Sequence, residues 1–341
     1  MSDTNSTGFA SLGLPFPVLR TLEELGYEAP SPIQANSIPP LLEGRDVLGM
    51  AQTGTGKTAA FALPLLTRTQ ADFNTPQVLC LAPTRELAQQ VAEAVKTYSK
   101  YIPGINVSAI YGGSDYGSQL RELKRGPQWV VGTPGRVMDH LRRGTLNLAD
   151  IKAVVLDEAD EMLRMGFIDD VNWILEQTPR SRQVALFSAT MPKQIRELAK
   201  QWLQKPFEVK VTPVASTPEL VTQTVYFVEK KHKTATLTQF LSETRCSRTL
   251  VFSRTKHGAD RIARSLQRDG IAAIAIHGNK SQNARTKALA DFKANKVRIL
   301  VATDIAARGL DIDQLPHVVN FELPNVEEDY VHRIGRTGRA G

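Results

Sequence analysis

The chain holds 341 residues, with 42 Lys plus Arg against 35 Asp plus Glu for a formal charge of +7, and it is 42% hydrophobic and 23% charged. That is too long for one ordinary domain, fits two, and excludes a disordered chain. No stretch nears the roughly 20 apolar residues of a membrane span, no basic-then-apolar leader opens the chain, the two cysteines frame no disulfide scaffold, and the six His lack zinc-ligand spacing. A soluble, cytoplasmic protein without a membrane partner is expected.

After an amphipathic opening, short β-rich runs alternate with helical periodicity. DVLGM (46–50), VLCLA (78–82), VSAIY (107–111), QWVVG (128–132), AVVLD (153–157) and QVALFSAT (183–190) read as strands. Between them, Arg85 to Tyr98 repeats Leu87, Val91 and Val95 at helical spacing. This β-α-β-α order predicts a parallel sheet with helices on both faces. KVTPVASTPELV (210–221) reads as a linker. The pattern then restarts with VTQTVYFV (221–228), RTLVF (248–252), AAIAI (272–276), VRILVA (297–302) and HVVNF (317–321). Two tandem α/β domains are expected, over 1–207 and 220–341, joined by a linker at 208–219 and leaving a cleft between them.

Residues 51–58 read Ala51-Gln52-Thr53-Gly54-Thr55-Gly56-Lys57-Thr58, after the first strand and before a helix expected near Ala59. Ala51 stands where a phosphate loop usually has its first Gly, yet the chemistry survives. Gly54 and Gly56 let backbone N–H groups curl around phosphates at a helix N-terminus, Lys57 can reach the β- and γ-phosphates, and the Thr58 hydroxyl can ligate Mg2+. The strand AVVLD leads into Asp157 and Glu158. Successive positions at a strand end point in different directions, so Asp157 can hold Mg2+ while Glu158 orients and deprotonates the attacking water. Either acid alone reads as an ordinary helix N-terminal acid. With the loop they favour hydrolysis of a nucleoside triphosphate over mere binding.

Residues 1–210 carry basic and acidic side chains in equal number, so the whole excess lies in 211–341, most densely in 251–300. On charge alone this is equally a polyanion footprint or a solvated basic face.

Asp157-Glu158-Ala159-Asp160 is joined by AQTGTGKT (51–58), PTRELA (83–88), TPGR (133–136), SAT (188–190), ATDIAARGLD (302–311) and HRIGRTGR (332–339). The set resembles a DEAD-box RNA helicase over almost the whole chain. The first domain is most similar to the bacterial cold-shock DeaD/CsdA type and the second, through HGNKSQNART and LPHVVNFELPNVEEDYVHRIGRTGRAG, to the RhlE type. The resemblance implies an α/β fold of two tandem RecA-like parallel-sheet domains (P-loop NTPase, helicase superfamily 2) with an inter-domain cleft. It implies RNA-dependent ATPase and helicase activity, ATP and Mg2+ as cofactors, and RNA as partner. Ribosomal or RNA-degradation proteins, reached through further extensions, are additional partners it implies, with roles in ribosome biogenesis, RNA degradation or cold shock.

The resemblance also assigns residues. Phe9, Tyr27 and Gln34 match its Q motif: Gln34 has the donor and acceptor to read adenine and an aromatic can cover the base, although each ring also fits a core role. Arg336 and Arg339 would reach the γ-phosphate as arginine fingers, Gly309 and Asp311 would meet the nucleotide with Asp311 on the ribose, and His332 would bond across the closed cleft. Ser188 and Thr190 would link Asp160 to the γ-phosphate region. Pro83, Thr84, Arg85, Gly112, Gly113, Thr133, Pro134, Gly135, Arg136, Arg254, Gln282, Arg285, Thr303, Asp304 and Arg308 lie in segments of hydroxyl, Gly and Arg at strand ends. Such residues grip phosphates and sugars and carry no base code, and any one such turn is as readily structural. The preference for RNA over single-stranded DNA comes from the resemblance. An ATP-gated RNA clamp or chaperone with little strand separation needs the same motifs. A DNA translocase is disfavoured by the Q motif and the DEAD spelling. The basic stretch 251–300 is expected to line the second domain's share of the RNA path. Because the family's second domain normally continues past the last motif, a core truncated at its C-terminal end is expected.

Overall fold

The computed structural model describes residues 8–52, 54–211, 221–243, 248–307, 312, 315–325 and 327–337. The chain divides into two compact units, Met1–Thr212 and Pro213–Gly341. In the first, α1 (Phe16–Glu24) and α2 (Pro32–Leu42) precede β1 (Val47–Met50). There follow α3 (Lys57–Arg68), β2 (Val78–Leu81), α4 (Arg85–Tyr98), β3 (Val107–Ile110), α5 (Tyr116–Leu123), β4 (Trp129–Gly132) and α6 (Pro134–Arg142). β5 (Ala153–Leu156), α7 (Ala159–Arg164), α8 (Ile168–Glu176), β6 (Gln183–Ser188), α9 (Lys193–Trp202) and β7 (Phe207–Lys210) complete it.

Its strands run parallel in the order β3-β4-β2-β5-β6-β1-β7. β2, β4, β5 and β6 are buried at every position, as a sheet covered on both faces requires. The two-residue period sends neighbours in one strand to opposite cores. Cys80, Val155 and Phe187 pack with Phe61 of α3 and Val91 of α4, while Leu79, Val154 and Leu186 pack with Val137 of α6, Val171 of α8 and Leu198 of α9.

Two boundaries differ from the sequence expectation. α3 starts at Lys57, two residues before Ala59, because Gly56 at φ +89° turns the phosphate loop directly into the helix. β7 runs to Lys210, into the segment read as linker from 208, because its backbone completes a ladder beside β1, with Val47 opposite Phe207 and Met50 opposite Lys210. Residues 212–219 of that linker lie outside the described residues.

The second unit comprises α10 (Lys233–Glu243), β8 (Thr249–Phe252), α11 (Lys256–Arg268), β9 (Ala273–Ile276), α12 (Gln282–Lys293), β10 (Ile299–Ala302), α13 (Asp304–Ala307), β11 (His317–Asn320) and α14 (Glu327–Ile334). Its strands are parallel in the order β11-β8-β10-β9. The strand expected over 221–228 does not form: residues 222–229 are irregular, and Val225, Tyr226 and Phe227 are exposed. Among the described residues β11 pairs with β8 alone and its other edge carries no partner, so an alternating apolar pattern does not by itself make a ladder. No described helix is long and apolar enough to cross a membrane.

Candidate nucleotide and nucleic-acid site

Parallel strands bring their carboxyl ends to one edge of the sheet, where loops collect ligand-binding residues. In the first unit the strand order sorts the expected residues into two groups. Loops after β1, β5 and β6 carry Ala51 to Thr58, Asp157 to Asp160, and Ser188 with Thr190, whereas loops after β2, β3 and β4 carry Pro83 to Arg85, Gly112 with Gly113, and Thr133 to Arg136. The groups meet where β5 lies beside β2.

In the nucleotide group, Lys57 is buried and its Nζ donates to the Ala51 carbonyl at 3.1 Å. Thr55 Oγ1 donates to the Gln52 carbonyl at 2.8 Å, and Ser31 Oγ donates to the Thr55 carbonyl at 2.7 Å. Gln34 accepts the Ser31 N–H at 2.8 Å, closing the capping box of α2, and donates from Nε2 to the Gly56 carbonyl at 3.2 Å. A Cβ on Gly56 would run into that amide. The side chain expected to read adenine therefore fastens α2 to the phosphate loop here. Phe9 is buried edge-on against Tyr27, with centroids 5.8 Å apart, and the Tyr27 hydroxyl bonds that of Tyr98 at 2.9 Å. Both rings thus serve the core of this unit. Gly54 is exposed, Thr58 is half-buried, and Thr53 lies outside the described residues.

Asp157 is 2% exposed and its Oδ1 has no hydrogen-bond partner among the described residues. Burial, opposed by the charge of Lys57 and reinforced by that of Glu158, pushes its carboxyl up to about 6. A buried orphan carboxylate oxygen, with the Thr58 hydroxyl on the same sheet edge, is a hard-oxygen donor set that fits Mg2+. Glu158 sits at φ +54° and ψ +52°, a left-handed conformation costing a non-glycine residue about 1–2 kcal/mol. Asp160 Oδ2 accepts both the Thr190 N–H and its Oγ1 at 2.8 Å, while Ser188 Oγ accepts the Asp160 N–H at 3.2 Å and donates to the Thr190 carbonyl at 2.6 Å. Burial raises the Asp160 carboxyl, but the Thr190 hydrogen bonds and the charge of Lys57 outweigh it and hold it below the usual range. The expected grouping of Asp160, Ser188 and Thr190 is thus present.

In the group expected to grip phosphates, Pro83 is buried and Thr84 caps α4 by accepting the Leu87 N–H at 3.2 Å, which sets Arg85 in the first turn. Gly113 adopts φ +77°, and the Arg85 guanidinium occupies the place a Cβ would take, so Arg85 lies across the Gly112-Gly113 turn. Thr133 precedes Pro134, which starts α6; Gly135 faces open space, and Arg136 donates to Gln119 Oε1 at 3.0 Å. Nothing in the sequence singled out Gln119, whose Nε2 also donates to the Tyr111 carbonyl at 2.9 Å.

The second unit brings further expected residues to its own carboxyl edge. After β8, the Arg254 N–H donates to Glu322 Oε2 at 2.9 Å and its guanidinium to Asn325 Oδ1 at 3.2 Å. Gln282 and Arg285 are buried near the start of α12, and Thr303 is half-buried after β10. Asp304, expected on the RNA path, is committed elsewhere: its two carboxylate oxygens accept Arg333 Nε at 2.5 Å and a terminal guanidinium nitrogen at 2.7 Å. Arg333 is 1% exposed over the Phe252 ring and fastens α14 to the end of β10, a role invisible in an arginine-rich run. Arg336 is buried and His332 half-buried. Arg308, Gly309, Asp311 and Arg339 lie outside the described residues.

Comparison with known proteins identifies the family. Residues 31–198 match the DEAD/DEAH box helicase family and residues 232–341 the helicase conserved C-terminal domain. The ATP-dependent RNA helicase DeaD of Escherichia coli K12 is 52% identical over 330 residues, which are 97% of this chain and 52% of that protein. The DeaD protein of Haemophilus influenzae is 49% identical over 334 residues, 98% of this chain and 54% of that protein. The chain therefore spans about half the length of the curated relatives it matches. The crystal structure of a DEAD box protein from the hyperthermophile Methanococcus jannaschii is 40% identical, with a TM-score of 0.60 over 98% of this chain and 90% of that one. S. cerevisiae Dbp5 bound to RNA and ADP BeF3 is 33% identical, with a TM-score of 0.87 over 98% and 87%. With its phosphate loop, DEAD segment and SAT loop gathered at one edge of a RecA-like parallel sheet, the chain belongs to the DEAD-box helicase family.

Proposed function

We propose that the chain is the core of an ATP-dependent RNA helicase, in which closure of the two domains on RNA triggers ATP hydrolysis and locally separates short duplexes or remodels RNA and its protein assemblies. The observation that carries this reading is that one sheet edge gathers the phosphate loop, the DEAD segment and the SAT loop on one side and the loops after β2, β3 and β4 on the other, adjoining at β5 and β2. Asp157 and Thr58 would hold Mg2+, which would withdraw charge from the β- and γ-phosphate oxygens. Lys57 leaves the Ala51 carbonyl to meet the same oxygens, and Glu158 takes the proton of the attacking water. Asp160, through Thr190 and Ser188, ties that site to the SAT loop. On closure Arg336 and Arg339 stabilise the transferring phosphoryl group, Gly309 and Asp311 hold the nucleotide, and His332 bonds across the cleft. The grip on RNA falls to Arg85, Arg136, Arg254 and Arg285 with their neighbouring backbone N–H groups.

The test is Glu158→Gln beside Lys57→Ala. Glu158→Gln should retain ATP and RNA together while steady-state hydrolysis falls at least about 100-fold, and Lys57→Ala should lose ATP affinity outright. Rapid turnover by Glu158→Gln, or stimulation of the native ATPase by DNA as strong as by RNA, would overturn the assignment.

A further inference from the structure

We propose that Gln119 is a positioning residue that joins the Gly112-Gly113 turn and the TPGR helix into one phosphate-gripping unit, an inference that rests on the RNA reading above. Gln119 lies on α5, in none of the segments that carry the family resemblance, and is 4% exposed. Its amide orientation follows from its partners. The Tyr111 carbonyl can only accept and lies 2.9 Å from Nε2, whereas the Arg136 guanidinium can only donate and lies 3.0 Å from Oε1. Nε2 also bonds Ser114 Oγ on the far side of the same turn. One buried amide thus holds both ends of residues 111–114 and the guanidinium of Arg136.

A second layer locks the amide. His140, fully buried on α6, places Nε2 3.2 Å from Gln119 Oε1 and Nδ1 2.8 Å from Thr145 Oγ1. Because Oε1 is acceptor-only, His140 donates from Nε2. Tyr116 stacks on that imidazole at 4.5 Å and 10°, bonds Thr145 Oγ1 at 3.1 Å, and lies under the Arg136 guanidinium at 5.5 Å. Arg136 is therefore held by the Gln119 acceptor, from one side by a ring, and at Nε by Asp139 Oδ2 at 4.0 Å. Since Arg85 lies across Gly113, the three segments expected to grip phosphates converge on one side chain that is itself buried.

The experiment compares the native chain with Gln119→Leu, Arg136→Ala and the double variant. Each is titrated with a single-stranded oligouridine in the presence of a non-hydrolysable ATP analogue, at several salt concentrations, and with ATP alone. Arg136→Ala should weaken RNA binding about tenfold and lower the salt slope by about 0.7, the loss of one phosphate contact. Gln119→Leu should weaken it several-fold, lower the slope similarly, leave ATP affinity unchanged, and combine with Arg136→Ala to less than the product of the two. Native affinity and slope in Gln119→Leu, beside a weakened Arg136→Ala, would overturn the positioning role and leave the RNA reading standing. Native RNA binding by Arg136→Ala would overturn the RNA role of this segment and the proposal with it. Gln119→Met, close to Gln in volume and without the amide, should weaken RNA binding and lower the slope as Gln119→Leu does. Native affinity and slope in Gln119→Met would equally overturn the proposal, and this variant carries the test if Gln119→Leu does not fold.

Discussion

One carboxylate oxygen of Asp157 is buried without a hydrogen-bond partner, and its pKa stands near 6 against an ordinary 3.8. Glu158 beside it occupies a left-handed conformation that favours glycine. Both features oppose folding of the nucleotide-free chain, and both are what a site for a cation and an attacking water requires. The sign of the pH dependence follows. A carboxyl whose folded pKa is raised contributes stability that is complete below its ordinary value and lost as pH rises through the folded one. Asp157 therefore lowers the stability of the nucleotide-free chain increasingly between about pH 4 and pH 7. Asp157→Asn, neutral at every pH, should stabilise that chain by about 1–3 kcal/mol at pH 7.5, with the gain shrinking toward pH 5, while hydrolysis is lost. Thermal midpoints without nucleotide or divalent cations check this, and a difference independent of pH would contradict it.

Two segments show what made strands legible and what did not. VTQTVYFV has the alternating, β-branched and aromatic pattern of a strand yet forms none among the described residues, whereas FEVK, half polar, forms β7 at the edge beside β1. Side-chain pattern reports which faces are apolar, but whether a segment joins a ladder is a tertiary fact. The buried central strands were readable because covering on both faces makes them continuous apolar runs. Functional loops were readable for a similar local reason, since phosphate chemistry demands Gly, Thr, Lys and Asp at fixed positions after a strand. Gln119 was not, because its partners Tyr111, Arg136 and His140 belong to the loop after β3 and to α6, and a lone Gln on a helix carries no pattern. Asp46 was missed on the same ground. Its carboxylate accepts the Val184 N–H at 2.8 Å and the Gln204 N–H at 2.6 Å, tying the approach to β1 to the start of β6 and to the turn before β7. Asp46→Ala should cost about 2–4 kcal/mol by orphaning those donors, and Asp46→Asn, which keeps one acceptor, roughly half of that. Denaturant midpoints give the ordering, and equal midpoints for the native chain and Asp46→Ala would refute the tie.

The net charge of the molecule divides unevenly, with a neutral first unit and a basic second one, and the fold divides the basic excess again. Arg254 and Lys256 follow β8, while Lys280 and Arg285 follow β9, so these four stand toward the carboxyl edge that carries the expected RNA contacts. Arg268 ends α11, Lys293 ends α12, and Lys296 and Arg298 lead into β10, so these stand toward the opposite edge. Lys280 is further neutralised by Asp260 at 2.9 Å. The expectation that the whole of 251–300 lines the RNA path thus narrows to its strand-end members. Counterion release converts that placement into a number, because each phosphate neutralised on a single strand contributes about 0.7 to the slope of log affinity against log salt. Arg254, Lys256 and Arg285 with Arg85 and Arg136 give a slope near −3.5, and enlisting every basic residue of the stretch would give roughly −9. Lys293→Ala with Lys296→Ala should leave the slope unchanged, while Arg254→Ala with Lys256→Ala should lower its magnitude by about 1.4. Equal effects of the two pairs, measured by fluorescence anisotropy across a salt series, would return all of these side chains to a solvated basic face.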